Sequence, residues 1–333
     1  MRILVTGAAG FIGANLCREL MSRPGIEKVI GLDNLSTGYA ANLDQSGIDL
    51  VVGSILDRPL LQDLVDGVDA VVHLAARPSV PRSLQDPVAS HEANASGSLA
   101  VLEACRRRSV HVVAASSSSV YGSVTTLPKH EDLATRPLSP YAASKLAAEA
   151  YLLAYHAAFA LPALALRFFN VYGPLQAAGH AYAAVIPAFV DAALRGEPLL
   201  ISGDGEQTRD FTFVGTVVNV LAEAVLGRVA SPEPVNLAFG TRIPIVDLAR
   251  RVAEIVGVPV DIRHGPPRPG DVRDSQADSS RLRELFPNVA PVVLDEGLQR
   301  TVAWFQWAAD QTTGLIPAQG GNPAAATTAR SAG

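Results

Sequence analysis

RILVTGAAGFIG, residues Arg2–Gly13, sets a short apolar run directly against three glycines. The run Arg2–Thr6 is β-branched and apolar, the mark of a strand buried on both faces. Gly7, Gly10 and Gly13 then open a helix that continues as ANLCREL, with Phe11 and Ile12 inside the same turn. In a strand–turn–helix unit this spacing allows a tight turn and a close backbone approach to a pyrophosphate at the helix N-terminus. A glycine pattern alone says little. With a strand before it and a helix after it, it reads as a dinucleotide site.

The next strand, Lys28–Leu32, ends at Asp33, followed by Asn34. Asp33 stands about 20 residues past the last glycine, where a carboxylate bonds a ribose 2′-hydroxyl. A carboxylate there repels a 2′-phosphate, which argues for NAD over NADP. Further α/β alternation follows: strands at Asp49–Val52 and Ala70–Leu74, a long helix near Ser83–Arg107, then a strand at His111–Ala115. The economical fold is a doubly wound parallel sheet.

Composition narrows the class. The 333 residues are 48% hydrophobic and 18% charged with net charge −5, enough for one large or two closely joined domains. Mild acidity gives no reason to expect nucleic acid or an anionic membrane as partner. Cys17 and Cys105 fall in apolar helical patterns and read as buried thiols, in keeping with a reducing cytoplasm. The seven histidines form no metal-ligand spacing, so no metal is expected. Met1–Thr6 is already a strand, which leaves no place for a signal peptide. The most apolar segment, Tyr151–Tyr172, is interrupted by His156, Pro162, Arg167 and Asn170 and does not read as a membrane span.

SPYAASK, Ser139–Lys145, carries the chemistry. Ser139 is an N-cap type and Pro140 suits the first helical position, so a helix is predicted from here through Phe159. Tyr141 and Lys145 are four apart and share one helical face. A free phenol has a pKa of ~10 and is a poor base at neutral pH. An ammonium one turn away is expected to stabilise the phenolate. Lys145 is also one of very few lysines in a chain that otherwise uses arginine.

In order and spacing, TGAAGFIG, DNLSTG, HLAA, SSSSVYG, YAASK and RFFNVYGP resemble the extended short-chain dehydrogenase/reductase family, and within it the UDP-sugar 4-epimerases. The likeness runs from Met1 to about Ala309. It implies a Rossmann NAD domain at 1–168, with 210–239 returning to it. A nucleotide-sugar-binding part is implied at 169–209 and 240–311. Residues 312–333, rich in Ala, Gly, Thr and Pro, read as a disordered tail.

Carried over motif by motif, Ser117 is the catalytic hydroxyl, Tyr141 the base and Lys145 its partner. Leu74, Ala75, Ala76 and Asn94 match residues near the cofactor, as do Ser54 and Ile55. The family usually writes Gly-Asp-Ile where this chain has Gly53, Ser54 and Ile55, so the Asp expected at the adenine amino group is a serine. For the substrate, the resemblance implies Ser79, Ser117, Ser118, Asn170 and Val185, with Arg209 and Arg268 clamping the UDP diphosphate. Gly215 and Thr216 replace the usual Asp-Asp after the strand that follows Arg209. Ser275 falls where the family gates the 2-substituent of the sugar. A small residue there resembles epimerases that also accept N-acetyl sugars.

The resemblance therefore implies an NAD-dependent UDP-hexose 4-epimerase acting through a transient 4-keto sugar. The expected pairs are UDP-GlcNAc/UDP-GalNAc and also UDP-Glc/UDP-Gal. The related 4,6-dehydratases and UDP-glucuronate decarboxylases need carboxylates just after the catalytic hydroxyl, where this chain has Ser118 and Ser119. A UDP-glucuronate 4-epimerase is the nearest alternative, although Leu175 and Ala177 provide no cation for a uronate. A non-catalytic NAD-binding regulator on the same fold is the remote one. The helices near Ser83–Arg107 and Pro140–Phe159 resemble the pair that forms a homodimer in this family.

Overall fold

The computed structural model describes residues 1–44, 46–178, 183–259, 261–267 and 272–314. Its centre is a seven-stranded parallel sheet. The strands are β1 (Arg2–Thr6), β2 (Lys28–Asp33), β3 (Asp49–Val52), β4 (Ala70–His73), β5 (His111–Ser117) and β6 (Ala163–Phe168), with Val235–Leu237 at one edge. From that edge the order is Val235–Leu237, β6, β5, β4, β1, β2, β3. The chain thus starts mid-sheet, and the winding direction reverses between β1 and β4. In such sheets ligands bind at the carboxyl ends of the strands beside that reversal. Thr6 pairs with Leu32 on one side and with His73 on the other, so Gly7 leaves the sheet at that point.

Period-two alternation sends the strand side chains to two cores. Ile3, Val5, Val29, Val72, Val113 and Leu164 pack on one face under the helices Phe11–Met21 and Val214–Leu226, which lie against each other. Leu4, Ile30, Val71, Val112 and Ala163 fill the other, with Leu61, Leu102 and Leu152 from the covering helices. Each fully buried side chain of this size contributes roughly 1.5–3 kcal/mol. Cys17 and Cys105 are free thiols inside these cores; burial pushes Cys17 up to about 12.

Among the described residues, three two-stranded pairs lie outside that sheet. Asn170–Tyr172 lies parallel to Phe211–Phe213, and Thr208–Arg209 antiparallel to Ile243–Pro244. Leu199–Ser202 lies parallel to Ile262–Gly265.

Several sequence-based boundaries move. The long helix near Ser83–Arg107 is four pieces: Val80–Gln85, Pro87–His91, a π-turn Glu92–Ser96 and Gly97–Arg106. Asp86 restarts the chain by accepting from the Ala89 amide at 3.0 Å, and Pro87 brings no amide to continue the preceding helix. Strand β5 runs two residues past Ala115, to Ser117. A helix spans Val185–Leu194. The last helix spans Leu294–Gly314 and overlaps the start of the predicted tail. Residues 315–333 lie outside the described residues, as does Arg268. Val80, Leu84, Val88, Tyr151 and Phe159, on the helices expected to pair in a dimer, are exposed in the single chain. No helix among the described residues is long and apolar enough to cross a membrane.

Candidate active site

The first wall of the site is the turn after β1. Gly7 holds a φ of +72°, and a Cβ on it would lie 2.7 Å from the Ala75 amide nitrogen. Gly13, on the first turn of the Phe11–Met21 helix, faces back onto that turn. A Cβ there would strike the Gly7 carbonyl oxygen and lie 2.9 Å from the Ala8 Cα. The missing side chains therefore let β1, the end of β4 and the helix start close on one another. Asp33 is only 8% exposed. Its carboxylate accepts from the Ala9 amide at 2.9 Å and the Leu35 amide at 2.8 Å, tying the end of β2 to the glycine turn. Phe11 and Ile12 are half-buried at the helix start. A backbone cradle beside a buried carboxylate has the shape and donor set for a dinucleotide with a free ribose 2′-hydroxyl. NAD fits it.

The other cofactor assignments sit around this cradle. Asn34 is exposed and accepts from the Ser36 amide at 3.1 Å. Ser54 accepts from the Leu56 amide at 3.2 Å, so its hydroxyl shapes its own turn. Ile55 is buried in the second core. Leu74 and Ala75 donate to Thr6, at 3.1 Å to its carbonyl and 3.2 Å to its hydroxyl, and Ala76 follows half-buried.

A buried polar chain then runs from the glycine turn to the Tyr141 helix. Thr6 Oγ1 lies 2.7 Å from His73 Nδ1, and His73 Nε2 lies 2.9 Å from Ser98 Oγ. The Ser98 hydroxyl donates to the Asn94 carbonyl, so it must accept from His73 Nε2–H, leaving Nδ1 to accept from Thr6. Burial, and secondarily the charge of Lys145, holds the His73 imidazole down at about 3, hence neutral. Asn94, 1% exposed, accepts from the Arg77 amide at 2.7 Å and donates to Ser144 Oγ at 2.9 Å. Ser144 in turn donates to the Tyr141 carbonyl at 2.8 Å. Asn94 therefore clamps the loop after β4 to the Tyr141 helix, and the π-turn is what aims its amide there.

The Pro140–Phe159 helix starts where the sequence places it, with Ser139 Oγ accepting from the Ala142 amide at 3.1 Å. Tyr141 is half-buried on its first turn and hydrogen-bonded to Ser117 at the end of β5. Ser117 Oγ already accepts from the Ser119 amide at 3.2 Å and the Ser119 hydroxyl at 2.9 Å. Its own hydrogen is then left to donate, and the Tyr141 oxygen receives it. That bond favours the phenolate. Burial pushes the Tyr141 phenol above its ordinary value, and the bond from Ser117 pulls it back.

Lys145 donates its ammonium to the Ala115 carbonyl of β5, and the group bonded to the Tyr141 oxygen is Ser117. The reason is burial. At 6% exposure the ammonium must find a fixed acceptor, and β5 presents one. Burial brings Lys145 down to about 8, against Glu149, which raises it.

The substrate assignments spread more widely. Ser79 holds a φ of +95° and caps the Val80–Gln85 helix through the Arg82 amide, at 3.4 Å. That helix packs on Pro140–Phe159. Ser118 begins the turn Ser118–Tyr121 directly after Ser117. The side-chain amide of Asn170 donates to the Asp210 carbonyl at 3.2 Å. Arg209 Nη1 donates to the carbonyls of Thr208 at 2.8 Å and Arg273 at 3.2 Å. The Ser275 amide donates to the Thr208 carbonyl at 3.2 Å, which sets Ser275 beside Arg209. Val185 starts its helix half-buried against the main core.

Two buried groups were missed in the sequence. Asp210 accepts from the amides of Gly240, Thr241 and Ala277 and from the Thr241 hydroxyl, knotting the Arg209 and Ser275 segments together. Nothing local marks it, since its partners lie up to 67 residues away. Glu149 was detectable, because Tyr141, Lys145 and Glu149 repeat every four residues. Its partner Arg167 was not.

Residues 3–238 match the NAD dependent epimerase/dehydratase family. A UDP-glucose 4-epimerase of Mycolicibacterium smegmatis is 38% identical over 313 residues, covering 92% of this chain and 99% of that protein. The solved UDP-N-acetylglucosamine 4-epimerase of Methanobrevibacter ruminantium is 34% identical with a TM-score of 0.87, covering 92% of this chain and 98% of that one. The dTDP-glucose 4,6-dehydratase of Streptomyces venezuelae, solved with NAD, is 32% identical with a TM-score of 0.85, covering 93% and 98%.

Proposed function

Because this chain belongs to the NAD-dependent epimerase/dehydratase family, we propose that it is a UDP-hexose 4-epimerase acting through a 4-keto sugar. The observation that carries this reading is the pair of serines after Ser117. Family members that go on to eliminate water or lose carbon dioxide need carboxylic acids there. In this chain the Ser119 hydroxyl is bonded to Ser117, and neither Ser118 nor Ser119 can act as a carboxylic acid.

The Gly7–Gly13 turn and Asp33 would hold NAD, which when bound would supply the hydride acceptor and donor for carbon 4. Tyr141 takes the proton of the 4-hydroxyl as a phenolate. Ser117 donates into that oxygen and orients the hydroxyl it deprotonates. Lys145, on the same helical face, supplies positive charge beside them. Arg209, with Arg268, grips the UDP diphosphate, as planar bidentate donors suit, and Asn170 assists. A firm hold on UDP and a loose one on the sugar let the ring present its other face before Tyr141 returns the proton.

Ser275 sets which sugars turn. A serine beside Arg209 leaves room for a 2-acetamido group, and steric exclusion is the simplest specificity device. The test is a panel of UDP-sugars incubated with wild type and Ser275→Tyr, no cofactor added, read by chromatography. Wild type is expected to interconvert UDP-GlcNAc with UDP-GalNAc and UDP-Glc with UDP-Gal. Ser275→Tyr is expected to lose the N-acetyl pair and keep UDP-Gal. Equal loss on both pairs removes Ser275 as the gate, and no interconversion by wild type removes the function.

A further inference from the structure

Below the Tyr141–Lys145 pair, the same helical face carries a third functional group. Glu149 is one turn past Lys145 and buried, as is Arg167 of β6 facing it. Arg167 Nε lies 2.9 Å from Glu149 Oε2 and Nη2 lies 2.6 Å from Oε1, a bidentate pair. Ser116 of β5 donates to the same carboxylate at 2.6 Å. Arg167 is held in turn by the Glu131 carbonyl at 3.3 Å, and its guanidinium stacks 4.8 Å above the Tyr121 ring. A carboxylate so fixed cannot swing away or be exchanged for solvent.

We infer that Glu149 is a positioning residue for the reaction: anchored by Arg167 and Ser116, it keeps the Lys145 ammonium charged and pressed on the Ala115 carbonyl. The inference rests on the reading of Tyr141 and Lys145 as the reacting pair. Apart from Arg167, the cation paired with Glu149 itself, the groups named around Lys145 carry no fixed charge. His73 from β4 is neutral and adds no negative charge. Strand β5 contributes the Ala115 carbonyl and the Ser116 and Ser117 hydroxyls, none of them ionised. Tyr141, one turn above, is raised by burial toward its neutral form. Glu149 is thus the fixed negative charge acting on Lys145, against a burial that favours loss of its proton.

The chain has only three lysines, Lys28, Lys129 and Lys145, which makes a direct measurement practical. In protein labelled with [ε-13C]lysine, the Lys145 signal, assigned with Lys28→Arg and Lys129→Arg variants, is titrated in wild type and Glu149→Gln. Removing an opposite charge this close is expected to lower the Lys145 midpoint by about one pH unit or more. The alkaline limb of kcat should move down with it. An unmoved midpoint with only a lower Tm would make Glu149 a stability residue and overturn the inference.

Glu149→Gln leaves Arg167 buried without its counter-charge and risks misfolding. The paired variant Glu149→Gln/Arg167→Met removes both buried charges and is the second arm. The carboxylate stands on the Lys145 helix itself, one turn away, and raises Lys145, so the midpoint is again expected to fall, and an unchanged one overturns the inference. The lysine titration needs no substrate. If wild type proves inactive on every UDP-sugar, the proposed function fails while the midpoint still reports on Glu149.

Discussion

Replacing Tyr141 with phenylalanine is expected to lower turnover by at least ~100-fold, the usual scale for a lost general base. That corresponds to about 2.7 kcal/mol of barrier. The change removes one oxygen. The ring keeps its half-buried seat, the Ser139 cap and the Asn94–Ser144 clamp of the helix are untouched, and the NAD cradle lies on other elements. Tm and bound NAD should therefore match wild type, and only kcat should fall. Ser117 would lose the acceptor for its hydrogen but keep both donors from Ser119. Near-normal turnover in this variant would remove Tyr141 as the base.

Gly13→Ala carries the second large effect, and its sign is informative. At an ordinary helical position alanine in place of glycine stabilises by about 1 kcal/mol. Here the new methyl would strike the Gly7 carbonyl oxygen and approach the Ala8 Cα, both backbone atoms of the NAD turn. Backbone has no rotamer to yield, so the turn must shift, and overpacking of this kind costs roughly 1–3 kcal/mol. The expected result is a lower Tm, loss of most NAD binding relative to wild type, and loss of activity in proportion. A raised Tm with a full complement of NAD would show that Gly13 is only an ordinary helical glycine.

What could be read in advance follows the range of the interactions. The strand, glycine turn, helix and Asp33 are local in sequence or fixed by strand pairing, and periodicity and spacing expose them. The Ser139 cap and the Tyr141–Lys145 face are local too. Tertiary partners were hidden. Apolar periodicity runs through Ser83–Arg107 without a break, yet the Asp86 cap and the π-turn at Asn94 divide it, the latter beside an Asn94 clamp on Arg77, 17 residues away. The acceptor for Lys145 is a carbonyl 30 residues upstream, invisible to a reading that looks one turn along a helix. Ser117 was recognised by its motif, but the direction of its hydrogen bond follows only from Ser119 occupying its lone pairs.

The most direct measurement follows deuterium placed at carbon 4 of UDP-galactose through turnover by purified protein with no added cofactor. UDP-glucose that keeps the deuterium at carbon 4, with none lost to water and no net reduced cofactor, is the expected product. Deuterium found at carbon 6 of a dehydrated 4-keto sugar would instead make the protein a 4,6-dehydratase and contradict the assignment.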